Sequence, residues 1–225
     1  QPVNILMVTI AFPPDFGGAA VQAIQLAKSL RARGYNIEFF TDNGAQKSIV
    51  DSYENFKIHR TRTFISAYKS KLRELIYVLR LLWFIVWHPK FKIIHFHSMR
   101  GTEAIIYPLL KLLGRRILLK LTLIDNDDPM TFKRRKNLAF LYMWGLRSVT
   151  HFVAISKRLR DLALEAGIKK EAVSLIYNGV NTARFRRIAD DERKEIKSRL
   201  GYAEFKNVFL SIGKIEYRKG YDFLI

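Results

Sequence analysis

The sequence predicts an α/β fold: a Rossmann-like parallel sheet with helices on both faces, followed by the opening of a truncated second domain. Three observations predict it. Short runs of Ile, Leu, Val and Phe alternate with longer helical stretches through residue 176, the pattern of successive βα units. The first short run leads through a glycine loop into an amphipathic helix. A fresh apolar run at residues 207–213 restarts the pattern after a charged helical segment.

The elements follow in order. Residues 4–10 are rich in β-branched residues and too short for a helix, so they read as a buried strand. Residues 11–18, with Pro13, Pro14, Gly17 and Gly18, form a loop. Ala20, Ala23, Ile24, Ala27 and Leu30 recur at helical steps, and Gly34 follows where a C-terminal cap belongs. Residues 36–41 and 56–61 read as strands, with a turn region at 52–57.

Residues 72–87 are the most apolar stretch and stop before Pro89. A membrane span needs about 20 apolar residues; this run is shorter and contains Arg73, Glu74 and Arg80. It reads as a core helix. The competing reading is an interfacial helix, with Trp83, Phe84 and Trp87 facing lipid and Lys69, Lys71, Arg73 and Arg80 meeting headgroups.

Residues 91–97 read as a strand, and Thr102 as the cap of a helix to Leu113 that Pro108 kinks. Residues 116–122 form the next strand, ahead of the acidic loop Asp125–Pro129. A single helix is expected over 131–147, with Phe140, Leu141 and Trp144 inward. Residues 151–155 and 173–176 are strands flanking a helix that Ser156 caps and Gly167 closes. Residues 190–200 form a charged helix, 207–213 a strand expected to pair with a sheet edge, and 220–225 the onset of a helix. The domain division is thus 1–186 for the first domain, 187–206 for a connection and 207–225 for the start of the second.

The chain has 225 residues, 49% of them hydrophobic, and no cysteine. Disulfides and thiolate metal sites are excluded, and a cytoplasmic location is expected. No secretory signal is recognised at the start, and the missing initiator Met suggests a longer reading frame. The formal net charge is +19, from 39 Lys plus Arg against 20 Asp plus Glu. Charge of this size speaks of partners: nucleic acid, an anionic membrane surface or an acidic substrate. The alternative to an enzyme is therefore a basic nucleic-acid- or membrane-surface-binding module without catalysis. No helix-turn-helix, zinc or RNP-type signature supports the nucleic-acid version.

In open parallel sheets ligands sit outside the C-terminal strand ends. The loops there are 11–18, 97–101, 123–129 and residue 156. The glycine loop lacks the G-x-G-x-x-G spacing of dinucleotide binding. It still leads into a helix N-terminus, which attracts anions such as phosphate. The alternative for that loop is a plain tight turn. His97 stands at a strand end as either a ligand contact or a structural histidine. Asp125-x-Asp127 resembles a metal-binding D-x-D pair, but a cleft-lining loop, with Asn126 and Asp127 meeting the hydroxyls of a ligand, is the favoured reading; helix capping is the third.

Three segments together resemble the family-4 glycosyltransferases, the glycogen-synthase-like group with the two-domain GT-B fold. They are Phe12-Pro-Pro with Gly17-Gly18-Ala19, Leu26-Ala27 and Gly34-Tyr35; Val153-Ala-Ile-Ser156 with Ile176-Tyr-Asn-Gly-Val-Asn181 and Phe185; and Ser211-Ile-Gly-Lys-Ile215 with Arg218-Lys-Gly220 and Asp222. The resemblance implies a retaining, metal-free hexosyl transfer from a nucleotide-sugar donor to a glycan or lipid-linked acceptor in cell-envelope polysaccharide synthesis. Together with the basic charge and the aromatic helix at 72–87, it leads to the expectation of a cytoplasmic enzyme peripheral at the inner membrane face, with no cofactor and no nucleic-acid partner.

Carried over by position, the resemblance makes Gly17, Gly18, Lys214 and Lys219 donor-phosphate contacts, with His97, Asn126 and Asp127 on the acceptor or sugar side. Lys214 stands where the family usually has Arg, which removes the bidentate fork. Ile124 or Asp125 stands where a cleft histidine is common. The catalytic residues are expected beyond Ile225, so the 225 residues alone are expected to be inactive.

Overall fold

The computed structural model describes residues 2–14, 17–42, 52–61, 71–135, 138–213, 215 and 217–223. The chain divides into two compact units, Gln1–Gly179 and Val180–Ile225.

The first unit is built on an eight-stranded sheet. Its strands are β1 (Asn4–Thr9), β2 (Asn36–Asp42), β3 (Ser52–Tyr53), β4 (Phe56–Thr61), β5 (Ile93–His97), β6 (Arg116–Leu121), β7 (His151–Ala154) and β8 (Val173–Leu175). They lie in the order β3-β4-β2-β1-β5-β6-β7-β8. Only β3 is antiparallel. It folds back on β4 through Glu54 and Asn55, both at positive φ (49° and 64°), so the expected turn region contains a small hairpin.

Alternation along each strand creates two cores. Ile5 and Met7 face α1 (Gly18–Arg31), with Phe12, Ala23, Ile24, Ala27, Phe39 and Phe56 around them. Leu6 and Val8 face the opposite layer. That layer holds α2 (Lys71–Trp87), a 3₁₀ turn (Gly101–Ile106), α3 (Tyr107–Leu112), α4 (Pro129–Lys133), α5 (Ala139–Leu146) and α6 (Lys157–Glu165). Right-handed crossovers place helices this way when strands on either side of β1 are filled in turn. The parallel sheet with helices on both faces is therefore as expected. Among the described residues no helix is long and apolar enough to cross a membrane.

Three expectations are corrected in this layer. Thr102 does not cap a helix: its hydroxyl is buried without a partner, and the 3₁₀ turn starts after Arg100. Pro108 kinks nothing, because it sits at the start of α3, where its missing N–H costs no hydrogen bond. The single helix over 131–147 is two, α4 and α5, with Leu138 between them at φ 70°.

Phe140 and Trp144 point outward, 82% and 47% exposed, while Tyr142, Met143 and Leu146 point in. Gly145 decides that orientation. A Cβ built on it would stand 2.0 Å from the backbone oxygen of Ala104, so α5 packs backbone to backbone on the 3₁₀ turn. Gly145→Ala is expected to lift α5 and cost about 1–3 kcal/mol by overpacking, despite alanine's higher helix propensity. Urea denaturation measures it; a stabilised variant would contradict the tight contact.

In the second unit α7 (Asp190–Arg199) forms as expected, with three acidic residues in its first turn. The strand expected at 207–213 does not form. Those residues pair with no strand, and Phe209, Leu210 and Ile212 are 94%, 81% and 86% exposed. A strand needs a neighbour to satisfy its backbone, and the described residues provide none. Two 3₁₀ turns, Tyr217–Lys219 and Tyr221–Phe223, stand where loop and helix onset are expected.

Candidate functional site

Strand order reverses at β1. The chain proceeds from β1 to β2 on one side, and later resumes at β5 on the other. In such sheets a crevice opens between the diverging loops at the C-terminal strand ends. Here it lies between β1 and β5, whose register brings Thr9 beside His97.

Register also lines up one polar side chain from each of five strands at these ends: Arg60, Thr41, Thr9, His97 and Lys120. Two residues earlier the same strands carry Ile58, Phe39, Met7, His95 and Leu118. The apolar core thus ends one layer below the row, except at His95.

His95 and His97 stack their rings 4.2 Å apart. Burial, then the nearby Lys120 charge, pushes His95 down to about 4. Burial, then His95 and Lys120, holds His97 well below the usual histidine range. Both rings are therefore neutral at physiological pH. Both nitrogens of His97, Nε2 of His95 and Oγ1 of Thr9 are buried without a hydrogen-bond partner. An unpaired buried polar atom costs about 1–3 kcal/mol, so four in one patch make it a candidate site. Lys120 is 8% exposed and its pKa is lowered by burial.

Beside the row lies a buried ionic cluster. Asp42, at the end of β2, accepts from Arg73 Nη2 at 3.2 Å and Arg100 Nη1 at 3.3 Å. Thr61 Oγ1 approaches the same carboxylate at 3.5 Å. Arg73 is 2% exposed, so it turns inward to the sheet and does not meet headgroups as the interfacial reading of its helix expects. Phe84 is likewise buried, and Lys69 lies outside the described residues. Arg100 stacks over the Tyr77 ring, 4.9 Å from its centroid. Its backbone N–H donates to Glu103 Oε2 at 3.0 Å. Glu103 is fully buried, which pushes its pKa up to about 7 against the pull of Arg100.

The glycine loop borders the crevice. Phe12 anchors it in the α1-side core, and Arg60 Nη2 donates to the Pro13 oxygen at 2.5 Å. Gly17 precedes α1 with extended backbone, no side chain among the described residues caps the helix, and its first turn holds no acidic residue. A Cβ on Gly18 would meet nothing within 4 Å. Neither glycine is required by backbone strain, and a Cβ on Gly17 would make only an ordinary contact, 3.9 Å from the Ala11 Cβ.

The acidic loop is mostly internal scaffolding. Asp127 is 0% exposed and takes Thr122 N (3.0 Å), Thr122 Oγ1 (2.7 Å) and Leu123 N (2.7 Å). Burial raises its pKa, with hydrogen bonds from Thr122 and Ser98 opposing. Asp128 caps α4 through Thr131 N at 2.9 Å and also takes Asp125 N at 2.8 Å. The capping reading holds for Asp128. Asp127 faces inward, contrary to the expectation that it meets an acceptor, because two backbone N–H groups and a hydroxyl already occupy its oxygens. Asn126 and Asp125 are the loop's exposed polar residues.

Lys219 is exposed on a 3₁₀ turn of the second unit, and Lys214 lies outside the described residues. Gly17, Gly18 and His97 are thus gathered at one sheet edge with the acidic loop. Sequence reasoning missed Thr9, His95, Lys120 and the Asp42–Arg73–Arg100 cluster. The available signal was a charged residue closing an apolar strand run, at Asp42 and at Lys120.

A family model described as Glycosyltransferase Family 4 matches residues 16–184. Mannosylfructose-phosphate synthase of Agrobacterium fabrum is 26% identical over 239 residues, covering 96% of this chain and 52% of the relative. The chain thus spans about half the length of that relative. Among solved structures, sucrose-phosphate synthase from Thermosynechococcus elongatus matches with TM-score 0.72 at 16% identity, over 98% of this chain and 58% of its own. The catalytic domain of starch synthase IV from Arabidopsis thaliana, bound to ADP and acarbose, matches with TM-score 0.64 at 12% identity, over 92% and 61%. Anabaena HepE in complex with UDP-glucose matches with TM-score 0.56 at 17% identity, over 89% and 50%. These neighbours have the GT-B fold, and the chain covers about half of it.

Proposed function

This chain belongs to Glycosyltransferase Family 4, and on that premise we propose that it is the acceptor-side lobe of a retaining hexosyltransferase. The enzyme moves a sugar from a nucleoside-diphosphate donor to a glycan or lipid-linked acceptor in cell-envelope polysaccharide synthesis. It is cytoplasmic and peripheral at the inner face of the membrane, and it uses no cofactor. One observation carries this reading: the row of polar strand ends at the crevice, with orphaned hydrogen-bonding atoms, beside the glycine-led N-terminus of α1. ADP in one neighbour's complex and UDP-glucose in another's support a nucleoside-diphosphate donor.

The chemistry needs those parts. The bond from the anomeric carbon to the donor phosphate oxygen breaks, and its electron pair leaves with the diphosphate. Lys214, Lys219 and the N–H groups at Gly17 and Gly18 stabilise that growing charge. The acceptor hydroxyl bonds the same face of the anomeric carbon and gives up its proton to the departing phosphate oxygen. Neutral His97 and exposed Asn126 hydrogen-bond sugar or acceptor hydroxyls, while Asp127 holds the loop that carries Asn126.

The 225 residues by themselves release no nucleoside diphosphate. Joined to a donor lobe, they release it from a nucleotide-sugar in the presence of acceptor, and Lys219→Ala loses about a hundredfold in turnover. Unchanged turnover in that variant would overturn the phosphate role; an inverted anomeric product, read by NMR, would overturn retention.

A further inference from the structure

We propose that α2, α3 and α5 together form a docking face for a bilayer that carries anionic lipid. Docking there rests on the peripheral location proposed above and not on the sugar chemistry.

Helix α2 is apolar on two sides. Tyr77, Val78, Leu81, Phe84 and Ile85 line its inward side. Leu72, Leu75, Leu79, Trp83, Val86 and Trp87 recur at helical steps on its outer side, and all are exposed. Trp83 and Trp87 are 64% and 66% exposed, with ring centroids 6.1 Å apart. A surface helix of a soluble protein turns polar residues outward; this one has an apolar stripe along its 17 residues, about 25 Å.

The stripe has neighbours. Both α2 and α5 pack on the 3₁₀ turn 101–106, and α3 packs on α5. All three helices cover the same core, so their outer sides belong to one layer. There α3 exposes Leu109 and Leu112, the latter 83%. Helix α5 exposes Phe140 and Trp144, turned outward by the Gly145 contact. An exposed apolar surface this broad marks an interaction site, and paired tryptophans suit a membrane interface.

Charge selects the occupant. Residues 71–148 contain 15 Lys and Arg and five acidic residues. Three of those acids, Glu103, Asp127 and Asp128, are buried. Exposed Lys71, Lys111 and Arg147 belong to these helices or their ends. A second copy would set basic surface against basic surface, which is repulsive. An anionic bilayer takes the apolar side chains among its acyl chains and the cations at its headgroups.

The test is co-sedimentation of the chain with vesicles of phosphatidylcholine, with or without phosphatidylglycerol. Binding is expected with phosphatidylglycerol and about tenfold weaker without it. Trp83→Ser/Trp87→Ser and Phe140→Ser/Trp144→Ser are each expected to weaken it about tenfold. These side chains are exposed, so both double variants should keep the wild-type circular dichroism and melting curve. Absent binding at low salt would overturn the proposal. So would binding that both variants leave unchanged, or variants that only convert a dimer to a monomer. Absent donor turnover in the chain joined to a donor lobe, with intact vesicle binding, would sink the sugar-transfer reading and leave this face standing.

Discussion

Asp42→Ala is expected to destabilise the first unit by about 3–5 kcal/mol, the cost of breaking a buried ion pair by removing one partner. Asp42 is 7% exposed and holds Arg73 and Arg100 together. Without the carboxylate, the 2%-exposed Arg73 keeps its charge in a medium that solvates it poorly. Arg100 would still face water in part. The cluster joins the end of β2, the start of α2 and the loop after β5, so its loss should also loosen the crevice wall. Urea denaturation reads the cost, and the double variant Asp42→Ala/Arg73→Met should recover a good part of it. A single variant within about 1 kcal/mol of wild type would show that the pair adds little beyond its desolvation penalty.

Glu103→Gln should stabilise the protein at alkaline pH and leave it unchanged in acid. Burial raises the Glu103 pKa from 4.5 to about 7 in the folded state. The folded state then holds this proton more tightly than the unfolded one. Its contribution is fully present below about pH 4.5 and is lost as pH rises through about 7. A difference of about 2.5 pH units corresponds to about 3 kcal/mol. Glutamine keeps the acceptor for the Arg100 N–H and carries no charge, so the gap between variant and wild type should open between pH 4.5 and 7 and stay constant above. Urea midpoints at pH 5 and pH 8 measure it. A gap that does not widen would mean that Glu103 stays ionised when folded. His95 and His97 act with the opposite sign: burial holds both neutral when folded, so they weaken the fold as pH falls below 6.5. The effect of Glu103 is therefore isolated only by comparing variant with wild type at each pH.

The two clusters differ in how far the sequence disclosed them. His97, the glycine loop and the acidic loop were visible because loops after strand runs fall at one sheet edge in any βα sequence. Thr9, Lys120 and Asp42 were not, because nothing local tells which strands are neighbours. Residues 9, 41, 60, 97 and 120 become a row only once β1 pairs with both β2 and β5. The acidic loop shows the same limit inside a few residues. Its carboxylates read as ligand groups, and only the folded loop reveals that Asp127 and Asp128 are spent on their own backbone.

By itself the sequence determined the elements and their kind. Period-two and period-3.6 apolar patterns are local, so β1, α1, α2 and the parallel sheet follow from residues a few positions apart. Tertiary structure alone decided which face of α5 is buried, since Ala139–Leu146 contains no charged residue to mark an outside and the fit of Gly145 settles it. It also decided that 207–213 stays unpaired among the described residues, because an apolar run becomes a strand only when another strand meets its backbone.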